Sequence, residues 1–254
     1  MSDSPNLRRA SMLVPGPSSA KVAGALGFGV PAVDRWLKGG LRRDGVHEFY
    51  APSDGEGAGA TAFALLVGRL ICDATLPLIW LRTNRGNRNE RPYAPGLAEL
   101  GIDPDTVFLV ELAELADLLV ATVESVRHGG AGAVILEMQG RARPFDLTAS
   151  RRLALAAERS GTAVLVIRGK ARPVASAAHT RWQVSAAPSP ALPANAPGHP
   201  VFDLRLLRQR GGPEGLHVQL EWNREQAAFR TPLYGDSSAV PARGTEDRRR
   251  RRAA

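Results

Sequence analysis

Short apolar segments alternate with helical patterns through the middle of this chain, and this alternation restricts the fold more than any other feature. Strands are predicted at 45–50, 77–81, 107–110, 133–136 and 163–167. Helices are predicted at 60–72, at 115–128, and between Asp146, a candidate N-cap, and Gly161. Short, continuously apolar strands separated by helices are typical of a parallel sheet covered on both faces. The sequence therefore predicts an α/β fold.

The last part of the ordered region has a different pattern. Apolar and polar residues alternate at 202–206 and again at 216–222, and a Gly-rich turn at 210–215 separates the two segments. Alternation with a period of two predicts strands with one buried face, so we expect an antiparallel hairpin at 201–222 that extends the sheet at one edge. The Ser-, Ala- and Pro-rich residues 185–200 are expected to form a flexible connection.

Both termini have the composition of disordered segments. Residues 1–20 are rich in Ser, Pro and Arg, and residues 235–254 form a basic tail with five consecutive arginines. One domain is therefore expected at 21–234. The net charge of +8 favours contact with polyanions or acidic proteins, with a merely solvated basic surface as the alternative. No segment resembles a signal peptide or membrane span, so a cytoplasmic location without membrane contact is expected.

A glycine-rich loop joins the first predicted strand to the first long helix. Phosphate-binding loops occupy this position, and a working one ends in Gly-Lys-Ser/Thr, where the lysine contacts phosphate and the hydroxyl holds magnesium. Here Ala60 replaces the lysine, and the carboxylates of Asp54 and Glu56 would oppose a bound phosphate. The sequence thus predicts a degenerate phosphate loop that comprises Gly55, Gly57, Gly59, Ala60 and Thr61.

Other elements of catalysis are also missing from the sequence. After the second strand no carboxylate that could activate water occurs before Glu90, and Glu137 only partly matches a magnesium-binding aspartate. An ordinary strand-end carboxylate is the alternative interpretation of Glu137. The single cysteine, Cys72, lies in an apolar helix, and the five histidines are scattered. We therefore expect no catalytic residues, no metal site, no cofactor and no enzyme activity.

Several motifs resemble known proteins. The segments at 29–37, 39–41 and 45–50 resemble the approach to the phosphate loop in RecA recombinases. Tyr93–Pro104, Arg181–Val184 and the hairpin at 206–222 are more specifically similar to the ImuA family of bacterial SOS mutagenesis proteins. The resemblance spans about 25–232. It implies a RecA-like P-loop core with a mostly parallel central sheet, helices on both faces and a C-terminal antiparallel hairpin.

The resemblance also implies a function. ImuA proteins act beside ImuB, a polymerase homologue without catalytic activity, and an error-prone C-family DNA polymerase in translesion synthesis. RecA and DNA are two further candidate partners. Three alternatives stay open from the sequence: a SulA-like inhibitor of cell division, a divergent RecA-like DNA-dependent ATPase, and a basic module that binds single-stranded DNA.

Basic residues follow three of the predicted strands. If the sheet is parallel, all three loops leave its carboxyl edge, where α/β proteins bind ligands, and they would contact phosphates in a salt-sensitive manner. None of the loops contains an aromatic residue, so base stacking is not predicted, and protein contact or solvation are the alternatives. The candidate DNA or partner contacts, including three in the hairpin, are Arg82, Arg85, Arg88, Arg141, Arg143, Arg168, Lys170, Arg172, Arg205, Arg208 and Arg210.

Overall fold

The computed structural model describes residues 24–53, 55–72, 76–84, 92–192 and 196–232. The predicted disordered segments at 1–20 and 235–254 lie outside the described residues. Asp54, Arg85 and Arg88 lie outside them as well. The predictions made for these positions therefore stay predictions.

A nine-stranded sheet forms the centre of the molecule. Its strands are β3 (Val46–Tyr50), β4 (Leu78–Thr83), β5 (Val107–Leu112), β6 (Ala133–Gln139), β7 (Ala163–Gly169), β8 (Thr180–Ala187), β9 (Val201–Gln209), β10 (His217–Asn223) and β11 (Ala228–Arg230). The order is β11-β10-β9-β8-β3-β7-β6-β4-β5. The six strands from β8 to β5 are parallel, and β9, β10 and β11 continue the sheet in antiparallel fashion. The predicted mostly parallel sheet and antiparallel hairpin are confirmed.

Helices cover both faces of this sheet. They are α1 (Pro31–Trp36), α2 (Gly57–Ile71), α3 (Ala94–Glu99), α4 (Leu115–His128) and α5 (Leu147–Ser160). Strands β1 (Ala25–Leu26) and β2 (Leu41–Arg42) form a separate two-stranded antiparallel sheet. The predicted ends of α5 are confirmed, because Asp146 Oδ1 accepts a hydrogen bond from Ala149 N and Gly161 adopts a φ of 66°. None of the helices in the described ranges is long and apolar enough to cross a membrane.

One core lies between α2 and the sheet, and it includes the hairpin. The ring of Phe63 on α2 lies 5.4 Å from the rings of Phe49, Phe202 and Phe229. Trp222 in β10 is also buried there, and its Nε1 donates to Leu100 O at 3.0 Å. The hairpin is therefore part of the main core rather than an appended arm. On the opposite face, α4 and α5 pack over β3, β4, β6 and β7 around a second core.

Strand β8 was not predicted, and its first residues bind buried polar groups of β3. His47 Nε2 lies 2.8 Å from Arg42 O, which can only accept, so Nε2 carries the proton. Thr180 Oγ1 accepts from Trp182 Nε1 at 2.8 Å, and it also lies 2.8 Å from His47 Nδ1. Both ring nitrogens are therefore satisfied, and in the neutral imidazole the Thr180 hydroxyl donates to Nδ1. Burial is the main cause that lowers the pKa of His47 to about 4.

This buried imidazole makes folding sensitive to acid. Between pH 6.5 and about 4 the unfolded chain protonates His47 while the folded protein does not, so stability falls as the pH is lowered through this window. A pKa difference of this size corresponds to about 3 kcal/mol. Urea unfolding at pH 7.5 and pH 4.5 measures the loss. His47→Gln should show a much smaller loss over the same interval, and an unchanged loss in this variant would contradict the assignment.

Glu48 is the second buried polar residue of β3 and faces the other core. Its Oε2 accepts from Arg181 Nε of β8 at 2.9 Å and from the Tyr50 hydroxyl at 3.2 Å. Arg181 Nη2 donates in turn to Ser176 Oγ at 2.8 Å. The RecA-like motif at 45–50 and the motif at 181–184 are therefore joined by a buried ion pair. Their role here is structural, because the pair ties β8 to the centre of the sheet.

Candidate functional site

A large open cavity of about 1550 Å³ lies at the carboxyl edge of the parallel strands. The start of α2, the ends of β4 and β6, and α3 supply most of its wall. Open α/β sheets bind ligands at this edge, where the strand order reverses. Here the neighbouring strands β4 and β6 connect in opposite directions, to β5 and to β7, and the ends of both strands line the cavity. The described residues of the degenerate phosphate loop and of the basic loops are therefore brought to one edge, as expected from a parallel sheet.

Two backbone N–H groups of the phosphate loop are hydrogen-bonded within the loop itself. Helix α2 begins at Gly57, and Gly59 N donates to Glu56 O at 3.2 Å. Glu56 N donates to Ser53 O at 3.2 Å, and the Ser53 hydroxyl donates to the Glu56 carboxylate at 2.8 Å. A phosphate needs such N–H groups free and pointing toward it. The loop instead places a carboxylate next to the start of the helix.

The first turn of α2 also packs closely against β8, and the lysine position within it is buried. A Cβ atom on Gly59 would lie 3.0 Å from Ala186 N, so the backbones of α2 and β8 are nearly in contact. Ala60, at the lysine position, is 0% exposed and belongs to the main core. Thr61 is partly buried and lines the cavity. The loop thus lacks both the lysine and the space that its side chain requires.

The strand-end carboxylate Glu137 is held by neighbouring side chains. Its Oε2 accepts from Trp80 Nε1 at 3.0 Å, and its Oε1 accepts from Gln139 Nε2 at 3.3 Å. These contacts favour the ordinary strand-end interpretation over a magnesium ligand. Within the described ranges, no group of three His, Cys, Asp or Glu side chains is arranged to hold a metal ion.

Three of the predicted basic contact residues line the cavity. Arg82, Arg141 and Lys170 line it, but Glu111, Glu114 and Glu137 line it as well. Arg82 forms an ion pair with Glu111 at 2.7 Å and also stacks over the Trp80 ring. The positive charge expected at this edge is therefore largely balanced by carboxylates. Two further candidates, Arg143 and Arg172, are exposed beside the cavity-lining segments of the two loops.

Arg168 does not occupy the position that the sequence prediction requires. It was assigned to the loop after β7, but β7 continues to Gly169 and the side chain is only 3% exposed. Its guanidinium lies 5.6 Å from the Tyr50 ring and 5.4 Å from the Phe145 ring. The alternation of side chains along a strand points it into the protein, so it is not available for a surface contact.

The three hairpin arginines lie away from this cavity. Arg205, Arg208 and Arg210 are exposed, and the last two line a second groove of about 700 Å³ between α5 and the strands β8 and β9. Arg151 of α5 completes this basic lining, and the sequence analysis missed it. The sequence feature that could have identified Arg151 is its spacing from Leu147, Leu155 and Glu158, which places all four residues on one face of a helix.

The chain is similar in sequence to a named bacterial protein and similar in fold to a solved recombinase structure. No family model matches the chain. Protein ImuA from Caulobacter vibrioides, in strains NA1000 / CB15N and ATCC 19089 / CIP 103742 / CB 15, is 31% identical over 205 residues, which cover 75% of this chain and 80% of the relative. The crystal structure of the RadB recombinase superposes with a TM-score of 0.55 and 17% identity, covering 81% of this chain and 99% of that one. This likeness shows a shared RecA-like fold.

Proposed function

Because this chain belongs to the ImuA family, we propose that it is a non-catalytic accessory protein of damage-induced mutagenesis. The structure of the phosphate loop is the main support for the proposal that the protein is not catalytic. Two of its N–H groups, those of Glu56 and Gly59, are hydrogen-bonded within the loop, and Ala60 fills the lysine position inside the core. Phosphoryl transfer depends on a lysine and a magnesium ion at the phosphates. A protein that keeps the RecA-like fold without these parts is suited to assembly rather than to turnover.

The proposed partners are an ImuB-like polymerase homologue and an error-prone C-family DNA polymerase. In this assembly the protein contributes binding surfaces, and the polymerase contributes the chemistry of translesion synthesis. Damaged chromosomal DNA is the substrate of the assembly, so its place of action in a bacterium is the cytoplasm. RecA and DNA remain further candidate partners.

The alternative functions have less support from the geometry. A divergent ATPase would need the phosphate-binding lysine, whose position is occupied by Ala60 inside the core. A module that binds single-stranded DNA is disfavoured by Glu111, Glu114 and Glu137, which lie among the basic residues of the carboxyl edge. A SulA-like inhibitor fits less well, because the ImuA relatives are matched over 80% of their length.

Co-purification with the polymerase homologue tests the proposal. The full chain and the ImuB-like protein of the same genome are co-expressed and isolated through a tag on the partner, in nucleotide-free buffer. A stable complex that Mg-ATP neither strengthens nor releases is the expected result. Failure of the wild-type proteins to associate would overturn the partner assignment. A complex that forms only with Mg-ATP would instead indicate a nucleotide-controlled protein.

A further inference from the structure

The groove between α5 and the C-terminal strands combines an apolar wall with a basic one. Leu155 is 53% exposed and Leu147 is also exposed, and both lie on the face of α5 that carries Arg151. From Leu147 to Glu158 this wall is roughly 16 Å long, at 1.5 Å per residue. Small residues at 175–178 form the floor. The groove accommodates an extended segment of about five residues, at 3.3 Å per residue.

The guanidinium of Arg208 and the backbone of Arg210 are held in position before any partner binds. Arg210 N donates to His179 O at 2.7 Å, and Arg208 Nη1 donates to Ser176 O at 3.2 Å. A preorganised wall loses little entropy when a ligand binds. Arg208 lies on strand β9, which pairs with β8, and Arg210 follows the end of that strand.

The charges of the groove are unbalanced. Arg181 is neutralised by Glu48, whereas no carboxylate in the described part of the chain pairs with Arg151, Arg208 or Arg210. Glu158 is the acidic residue that lines the groove against these three arginines. The groove therefore attracts acidic side chains, in contrast to the carboxyl edge, where acidic and basic residues alternate.

We propose that this groove is the docking site for a short, extended segment of the polymerase-like partner that carries both acidic and apolar side chains. The assignment rests on the proposed function. The acidic side chains pair with Arg151, Arg208 and Arg210, and the apolar side chains cover Leu147 and Leu155. A nucleic acid backbone fits the groove less well, because phosphates do not cover exposed leucines and the lining contains no aromatic residue for base stacking.

Two charge-reversed proteins, compared in the co-purification with the polymerase homologue, test the docking site. The groove variant carries Arg208→Glu with Arg210→Glu. The control carries Arg35→Glu with Arg127→Glu, which reverses two exposed arginines that line neither the groove nor the cavity at the carboxyl edge. We expect the groove variant to weaken the complex by about tenfold or more and the control to change it by less than about twofold. Arg151→Glu, on the opposite wall, should weaken it as well.

Thermal melting of every variant separates lost binding from lost folding, because exposed substitutions should leave stability nearly unchanged. Wild-type affinity in both groove variants overturns the docking site while the proposed function stands. Equal losses in the groove and control variants overturn it too, since the effect would then be one of net charge. If the wild-type chain forms no complex, the proposed function fails, and the docking site fails with it.

Discussion

Replacement of Glu48 by alanine is expected to lower the free energy of unfolding by about 3–5 kcal/mol, because it removes one partner of a buried ion pair. Glu48 is 0% exposed and is bound by both Arg181 and the Tyr50 hydroxyl. Without the carboxylate, the mostly buried guanidinium of Arg181 keeps its desolvation cost and loses its counter-charge. Urea denaturation at pH 7.5 measures the change.

An exposed ion pair in the same protein provides the control. Glu124 and Arg127 on α4 form an ion pair at 2.9 Å while their side chains are 63% and 61% exposed. Glu124→Ala should therefore cost less than about 0.5 kcal/mol. If Glu48→Ala costs no more than Glu124→Ala, the pair does not hold β8 to the sheet. The double variant Glu48→Ala, Arg181→Ala should cost less than the two single changes together.

The second large effect on stability is expected from introducing a lysine into the degenerate phosphate loop. Ala60→Lys should destabilise the fold by about 3 kcal/mol or more and should not create ATP binding, because the position is enclosed in the main core. A long side chain there must displace its neighbours or bury its ammonium group. Urea denaturation and titration with a fluorescent ATP analogue measure the two outcomes.

Ala58 supplies the matched control for this substitution. It lies two residues earlier in the same helical turn, and it is exposed at the edge of the cavity. Ala58→Lys should change stability by less than about 0.5 kcal/mol. A stable Ala60→Lys protein that binds the ATP analogue would contradict our description of the loop, because it would mean that the backbone still opens around phosphate.

The parallel part of the sheet could be predicted because its strands are apolar on both faces. β6 and β7 carry almost no polar residues, and the ends of α5 are marked by Asp146 and Gly161. β8 was missed because Thr180 and Arg181 interrupt its apolar pattern. Thr180 and Arg181 are buried because they bind His47 and Glu48 on β3. The partners are more than 130 residues apart in the sequence, so the local sequence around β8 does not indicate the pairing.

The candidate site could be predicted only in part, for a similar reason. The missing lysine was visible in the sequence, but the close approach of Gly59 to Ala186 depends on the unpredicted strand β8. The basic loops reached one edge as expected, whereas their neutralising glutamates come from β5, β6 and the start of α4. The groove joins α5 to β9, and neither element alone indicates a binding surface.

The frequency of damage-induced mutation in a strain that carries Thr61→Ala tests most directly whether the protein works without ATP chemistry. Thr61 is the residue of the loop whose hydroxyl would hold magnesium in a working phosphate loop. Deletion of the gene should reduce induced mutation to the uninduced background. We expect Thr61→Ala to support the wild-type frequency. A frequency as low as that of the deletion, with the variant present at the wild-type level, would contradict a non-catalytic role.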